Sequence, residues 1–212
     1  MAGHVVLLGD SVFDNAAYVR GGPDVVAQLR ERLPSGWRAT LGAVDGSVAA
    51  DVSRQLERLP ADATHLVVSA GGNDALRQSG LLEERVGSMA EALSRLSEAA
   101  GRFERDYRAM LRGLVGAGLP AAVCTIYYPR FPEALLQSLT VAALAHFNDA
   151  ILRAAFEAGL PLVDLRLVCD SDDDYANPIE PSARGGEKIA AAVARLVAEH
   201  DFARRRTQVF TA

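Results

Sequence analysis

The 212-residue chain has few cysteines, few histidines and no strong excess of either charge. Its two cysteines, Cys124 and Cys169, sit in apolar stretches and are expected as buried reduced thiols, not as a disulfide framework. Lysine and arginine number 22 against 27 aspartate and glutamate, for a net charge of −5. That balance offers no attraction for nucleic acid or an anionic membrane surface. No apolar run approaches the ~20 residues needed to cross a bilayer, so no integral membrane association is expected. Met1-Ala2-Gly3-His4 leads straight into an apolar strand, leaving no room for a signal peptide, and a cytoplasmic protein is expected. Half of the residues are hydrophobic and 23% are charged, which is globular composition with length for one domain over 1–212. No repeat, linker or low-complexity segment divides it.

What is present is an alternation of strand-length apolar runs and helical stripes. Residues 4–8 form an uninterrupted, β-branched run suited to a strand buried on both faces. Residues 23–33 carry Val25, Val26, Leu29 and Leu33 on one helical stripe, with Pro23 suited to a first turn. A short strand candidate over 37–41 precedes a helix over 48–59, where Val48, Val52, Gln55, Leu56 and Leu59 are helically spaced. A strand at 65–69 follows, then a long helical pattern over 81–118 with Gly101 as a candidate break. The remainder reads as strand 121–126, helix 132–158, strand 160–165 and a closing helix 187–200. The tail from Asp201, with Arg204-Arg205-Arg206, is expected to pack loosely. Such alternation implies a parallel sheet with helices on both faces. Right-handed crossovers set the carboxyl ends of the first and third strands side by side, where such sheets hold their binding sites.

Residues able to do chemistry gather at those ends. Gly9-Asp10-Ser11 leaves the first strand with a hydroxyl, on backbone that glycine lets turn sharply. A serine attacks a carbonyl when a base takes its proton and a donor set receives the oxyanion. Backbone N–H groups at the start of the following segment can be such donors. Gly46, after the second strand, can bring its N–H to a substrate oxygen, and Asn73 in Gly71-Gly72-Asn73-Asp74 carries an amide. Asp10 and Asp74 read as carboxylates that hold local backbone. Each position also has a plainer reading: a capping serine, a turn glycine, an asparagine in a left-handed turn. Jointly, sites following each of the first three strands point to acyl transfer by a serine.

These residues resemble those of the SGNH (GDSL-like) hydrolase family. Gly9-Asp10-Ser11 looks like its first block, Gly46 like its second-block glycine and Gly72-Asn73-Asp74 like its third block. Phe147-Asn148-Asp149 falls on the helix before the last strand, so the likeness covers the chain in order and spacing. The resemblance implies an α/β, three-layer flavodoxin-like fold: a five-stranded parallel sheet in the order 2-1-3-4-5, with helices on both faces. It also implies hydrolysis of a small carboxylic ester or thioester, without cofactor or metal, through an acyl-Ser11 intermediate. The Ser11 and Gly46 N–H groups and the Asn73 amide would then form the oxyanion hole.

The last block departs from the family pattern. In place of Asp-x-x-His the chain reads Asn177-Pro178-Ile179-Glu180, followed by Pro181 and a helix with Gly185-Gly186 and Ile189-Ala190. Asn177 therefore stands at the aspartate position and Glu180 at the histidine position. None of the four histidines replaces the missing one by placement. His4 and His65 open strands at the far end of the sheet, His146 lies within a helix, and His200 lies in the last turn of the final helix. A glutamate of ordinary pKa ~4.3 is a weaker base than imidazole by about two units, or ~3 kcal/mol. Burial recovers part of that deficit. Glu180 is thus a candidate base, or else a holder of water or of loop N–H groups. A second reading is a binding protein that keeps the cleft without the chemistry. Phe13, Tyr18, Tyr127 and Tyr128 are candidates to line a modest acyl pocket. The acidic run Asp170-Ser171-Asp172-Asp173-Asp174 lacks the glycine and distal glutamate of a calcium loop and reads as solvated surface.

Overall fold

The computed structural model describes residues 3–204 and 206–211. β1 (His4–Gly9) is buried along its whole length, as a central parallel strand must be. α1 (Val25–Arg32) starts just after Pro23, where the Asp24 side chain accepts a hydrogen bond from the Ala27 N–H. β2 (Arg38–Leu41) leads through one 3-10 turn into α2 (Val52–Leu56). β3 (His65–Ser69) and the short α3 (Gly72–Leu76) come next. α4 (Met89–Gly116), capped by Ser88, runs unbroken through Gly101, where a break was expected. One interior glycine costs a helix only about 1 kcal/mol, and the buried stripe of Phe103, Tyr107, Met110 and Leu114 outweighs it.

β4 (Ala121–Cys124) precedes α5 (Ala134–Ala158), which ends on Gly159 in the left-handed conformation. β5 (Leu162–Val163) and α6 (Leu165–Val168) follow. A small antiparallel pair, β6 (Tyr175–Asn177) and β7 (Glu180–Pro181), stands apart from the main sheet. α7 (Ala183–Glu199) and β8 (Val209–Phe210) complete the chain.

The main sheet has the order β2-β1-β3-β4-β5-β8 and is parallel throughout. The expected order therefore holds for five strands, and a sixth extends the edge. That sixth strand corrects the expectation of a loose tail. The Leu162 N–H donates to the Gln208 carbonyl and the Asp164 N–H to the Phe210 carbonyl, so the tail satisfies an otherwise open strand edge. Arg205 lies outside the described residues. Alternate residues of β1 divide the core in two: Val5 and Leu7 face α1 and α7, Val6 and Leu8 face α4 and α5.

Two features of this frame position the site. First, α4 and α5 have 28 and 25 residues. At ~1.5 Å per residue they are about 42 and 38 Å long, against about 17 Å for β3. Both run opposite to the strands, so their amino-terminal halves overhang the sheet's carboxyl edge. α5 is long and apolar enough in composition to cross a membrane, although polar residues interrupt its apolar sequence. Its carboxyl half buries Phe147, Ile151 and Ala154 in the core, whereas Leu135, Leu136 and Leu139 stay exposed.

Second, the end of β1 is pinned. Gly9 has φ +117°, and a Cβ there would lie 1.7 Å from the Ser69 carbonyl oxygen, so the close approach to β3 requires glycine. Gln55, placed by its spacing on an apolar stripe, is buried and grips the same residue. Its Oε1 accepts the Gly9 N–H at 2.7 Å and its Nε2 donates to the Gly9 carbonyl at 2.8 Å. Gln55→Ala leaves that buried N–H without an acceptor. It is expected to lower the unfolding free energy by about 2 kcal/mol, read by urea denaturation.

Candidate active site

Ser11 begins the turn that leaves β1. The Asp10 N–H donates to the Ser69 carbonyl at 3.1 Å, and the Phe13 and Asp14 N–H groups return to the Asp10 carbonyl at 3.2 and 3.1 Å. The Asp10 carboxyl accepts the Val12 N–H at 3.2 Å. This tight turn directs Phe13 into the core, where it is completely buried. The Ser11 Oγ donates to Glu180 Oε1 at 3.1 Å, across 169 positions of sequence.

Glu180 arrives on β7, and Asn177 sets its backbone. The Asn177 Oδ1 accepts the N–H groups of both Ile179 and Glu180 at 3.0 Å, an Asx turn at the tip of the hairpin. Tyr127 donates its hydroxyl to the Ile179 carbonyl at 2.6 Å and clamps the same turn from β4's loop. Glu180 is 6% exposed, and its Oε2 is buried with no hydrogen-bond partner. Burial lifts its carboxyl to about 7; the Ser11 hydrogen bond pulls it down and the Asp45 charge pushes it up again. Asp10, also buried, is raised to about 8, chiefly by burial, against the pull of the Val12 N–H. Both carboxyls therefore hold a proton to higher pH than an ordinary carboxylate does.

Asn73 stands in the first turn of α3, and its Nδ2 donates to the Ser47 carbonyl at 3.0 Å, leaving the amide's second N–H. The neighbouring Asp74 carboxylate accepts the Ala49 N–H at 2.9 Å. Gly46 lies in the loop so held, exposed and with φ +79°. Tyr18 donates to Asp45 at 2.7 Å and the Asp45 N–H donates to Asp14 at 2.9 Å, joining the Ser11 turn to the Gly46 loop. The loops leaving β1, β2 and β3 are thus hydrogen-bonded to one another.

A cavity of about 550 Å³ opens on Ser11, Asn73 and Glu180. Of the aromatic residues expected to line it, only Tyr127 does. Phe13 is core, Tyr18 is spent on Asp45, and Tyr128 is absent from the wall. Gly46 also lies outside the lining. The apolar wall comes instead from Leu81, Leu96, Leu136 and Leu139, whose helical spacing reads equally well as core packing.

No histidine reaches the cavity. The ring of His4 bonds Asp62 and Thr40, His65 packs between Trp37 and Phe202, His146 is exposed, and His200 packs on Phe202 and Phe210. The acidic run is ion-paired, not merely solvated: Lys188 bridges Asp170 and Asp174 at 2.7 Å each, Arg184 pairs with Asp173 and Arg130 with Asp172. The Lys188 and Arg184 pairs fasten this run, which leads into the hairpin that carries Glu180, to α7, and the Arg130 pair fastens it to the loop after β4. Among the described residues no group of three or more histidine, cysteine or acidic side chains is arranged to hold a metal. Cys124 and Cys169 are free and buried, and burial pushes the Cys169 thiol up to about 12.

Solved structures with this architecture include an extracellular lipase from Streptomyces rimosus, 20% identical at a TM-score of 0.62, covering 90% of this chain and 97% of that one. The lipase Lip_vut3 from a goat rumen metagenome is 17% identical at 0.68, covering 93% and 97%. The acetyl xylan esterase AlAXEase is 17% identical at 0.64, covering 93% and 100%. At such identities these likenesses speak for the fold. Among curated proteins none matches. The sequence model of the GDSL-like Lipase/Acylhydrolase family, however, matches residues 7–188, a span that runs from β1 into α7 and takes in Ser11, Asn73 and Glu180. This chain is a member of the GDSL-like lipase/acylhydrolase family.

Proposed function

We propose that the chain hydrolyses a carboxylic ester through an acyl-Ser11 intermediate, with Glu180 as the general base. The observation that carries this reading is the 3.1 Å hydrogen bond from the Ser11 hydroxyl to Glu180 at the mouth of the cavity. A carboxyl raised to about 7 is as strong a base as an imidazole of pKa ~6.5. The deficit of an ordinary glutamate has therefore been removed by burial.

Glu180 takes the Ser11 proton as Oγ attacks the carbonyl carbon, and the charge moves to the carbonyl oxygen. That oxygen meets the Ser11 N–H and the second N–H of the Asn73 amide, both on residues of the cavity wall, while Gly46, the third expected donor, stands outside that wall. Collapse expels the alkoxide, which recovers the proton from Glu180. Water then repeats the sequence on the acyl-enzyme.

The joint replacement at 177 and 180 follows from the same chemistry. A histidine base becomes cationic on taking a proton, and a carboxylate behind it stabilises that charge. A glutamate base becomes neutral and needs no counter-ion. Position 177 is then free to serve the backbone, as the Asn177 Oδ1 does.

An alkyl fluorophosphonate at pH 8 is expected to add one phosphonyl group at Ser11, read by mass of the intact protein and of its peptide. A protein that binds decanoate but forms no adduct would instead be a cleft without catalysis.

A further inference from the structure

We propose that Tyr127 is a positioning residue of the reaction: its hydroxyl fixes the peptide group that leads into Glu180, and through it the carboxylate facing Ser11. This rests on Glu180 as the base. The hairpin alone does not set that side chain. β7 is two residues long, and its pairing with β6 is irregular between Tyr175 and Asn177. A carboxylate on so short a strand turns with its backbone.

What holds that backbone is a complete set of protein partners. Two peptide groups precede Glu180, and all four of their polar atoms are hydrogen-bonded. The Asn177 Oδ1 accepts the Ile179 and Glu180 N–H groups at 3.0 Å each. The Arg130 N–H donates to the Pro178 carbonyl at 2.8 Å, and the Tyr127 hydroxyl donates to the Ile179 carbonyl at 2.6 Å. Pro178 and Ile179 are only half-buried, so water could have satisfied these groups. Side-chain and main-chain partners fix their direction as well. Of the partners from outside the hairpin, Tyr127 is the one on the peptide group bonded to Glu180.

The clamp is itself anchored. Tyr127 is buried, and its ring meets Tyr175 edge-on at 5.4 Å between centroids. Tyr175 donates its hydroxyl to the Tyr128 carbonyl at 2.7 Å. At the root of the same loop, the Thr125 hydroxyl donates to Asp164 and accepts the Leu165 N–H, at 2.9 Å each. Burial and the nearby Glu180 charge push the Tyr127 phenol well above its ordinary range. It therefore stays a donor wherever Glu180 works as a base. Tyr127 also lines the cavity, but its one proton is given to Ile179.

A double-mutant cycle tests the clamp. A misplacement of about 1 Å costs on the order of 10²-fold in rate, so Tyr127→Phe should lower kcat for p-nitrophenyl octanoate about 10- to 100-fold. KM should stay within about twofold, because the ring remains in the cavity wall. The fold should hold, since the packing on Tyr175 does not use the hydroxyl. In the Glu180→Gln protein the same change should cost less than about twofold, because the base it acts through is gone. Native activity of Tyr127→Phe, a raised KM with kcat intact, or equal losses in both backgrounds would each overturn the proposal. Failure of the base itself is read separately, as a native rate in Glu180→Gln alone. The clamp is then judged by the Glu180 carboxyl, followed by NMR of labelled glutamate and assigned by its loss in Glu180→Gln. Burial is the main cause of that carboxyl's rise, so Tyr127→Phe should move its titration to lower pH. An unmoved titration would overturn the clamp.

Discussion

Ser11→Ala is expected to lower kcat/KM for an octanoate ester by ~10⁴-fold or more, because no other hydroxyl replaces the attacking oxygen. A capping serine would behave otherwise: its loss would cost about 1 kcal/mol of stability and leave the rate nearly intact. The two roles also differ in what happens to Glu180. The Ser11 hydrogen bond is what holds that carboxyl down toward 7. Without it the carboxyl should titrate at still higher pH, an effect visible by NMR of labelled glutamate. The fold should survive, since the Asp10 turn and the Gln55 grip on Gly9 do not use the Ser11 side chain. Unchanged hydrolysis by a folded Ser11→Ala protein would remove the nucleophile from this account.

Glu180→Gln should cost ~10³-fold in kcat/KM, in the range for loss of a positioned general base. Glutamine can still accept from Ser11 but cannot take its proton. In the native protein, log kcat/KM should rise with pH and level off above about 7, because the ionised carboxyl is the working form. The variant should show no such rise. Stability moves the opposite way. The folded carboxyl titrates near 7 against 4.5 for the free group, so it binds more protons folded than unfolded. The stability this carboxyl contributes is fully present below about 4.5 and is lost as pH rises through 7. Glu180→Gln, which cannot ionise, should therefore gain about 1–2 kcal/mol over native at pH 8, discounted for solvent in the open cavity. At pH 4 it should gain nothing. A loss at both pH values would make Glu180 a structural residue.

The sheet was legible because buried parallel strands have an unmistakable pattern: β1 and β3 are short apolar runs with nothing polar inside them. That the loops carrying Ser11, Gly46 and Asn73 would gather was legible because a parallel sheet places the loops after its strands at one edge. What escaped depends on partners distant in sequence. β8 is two residues long and exists because β5 offers it an edge. Gln55 has helical spacing, and only the fold reveals that it faces Gly9. The cavity wall was hidden because Leu81, Leu96 and Leu136 carry the period of a packed helix whether their neighbour is protein or empty space. Among the aromatic candidates Tyr127 lines the cavity, whereas Phe13 and Tyr18 failed for the opposite reason. Nearness to Ser11 along the chain did not become nearness in space, since the turn at Asp10 sends Phe13 inward. Asn177 was expected at the family's aspartate position, and in the fold its Oδ1 holds backbone N–H groups that no motif displays.

The contact between Ser11 and Glu180 has a bearing on where such chemistry can run. With a carboxylate as proton acceptor, one negative charge travels from Glu180 to the substrate oxygen, and no opposite charge is born beside it. A neutral imidazole would have to generate a cation and an anion together, which fatty surroundings penalise and an extra carboxylate must offset. The leucine-lined space, by keeping water out, would thus leave this proton transfer no harder than before.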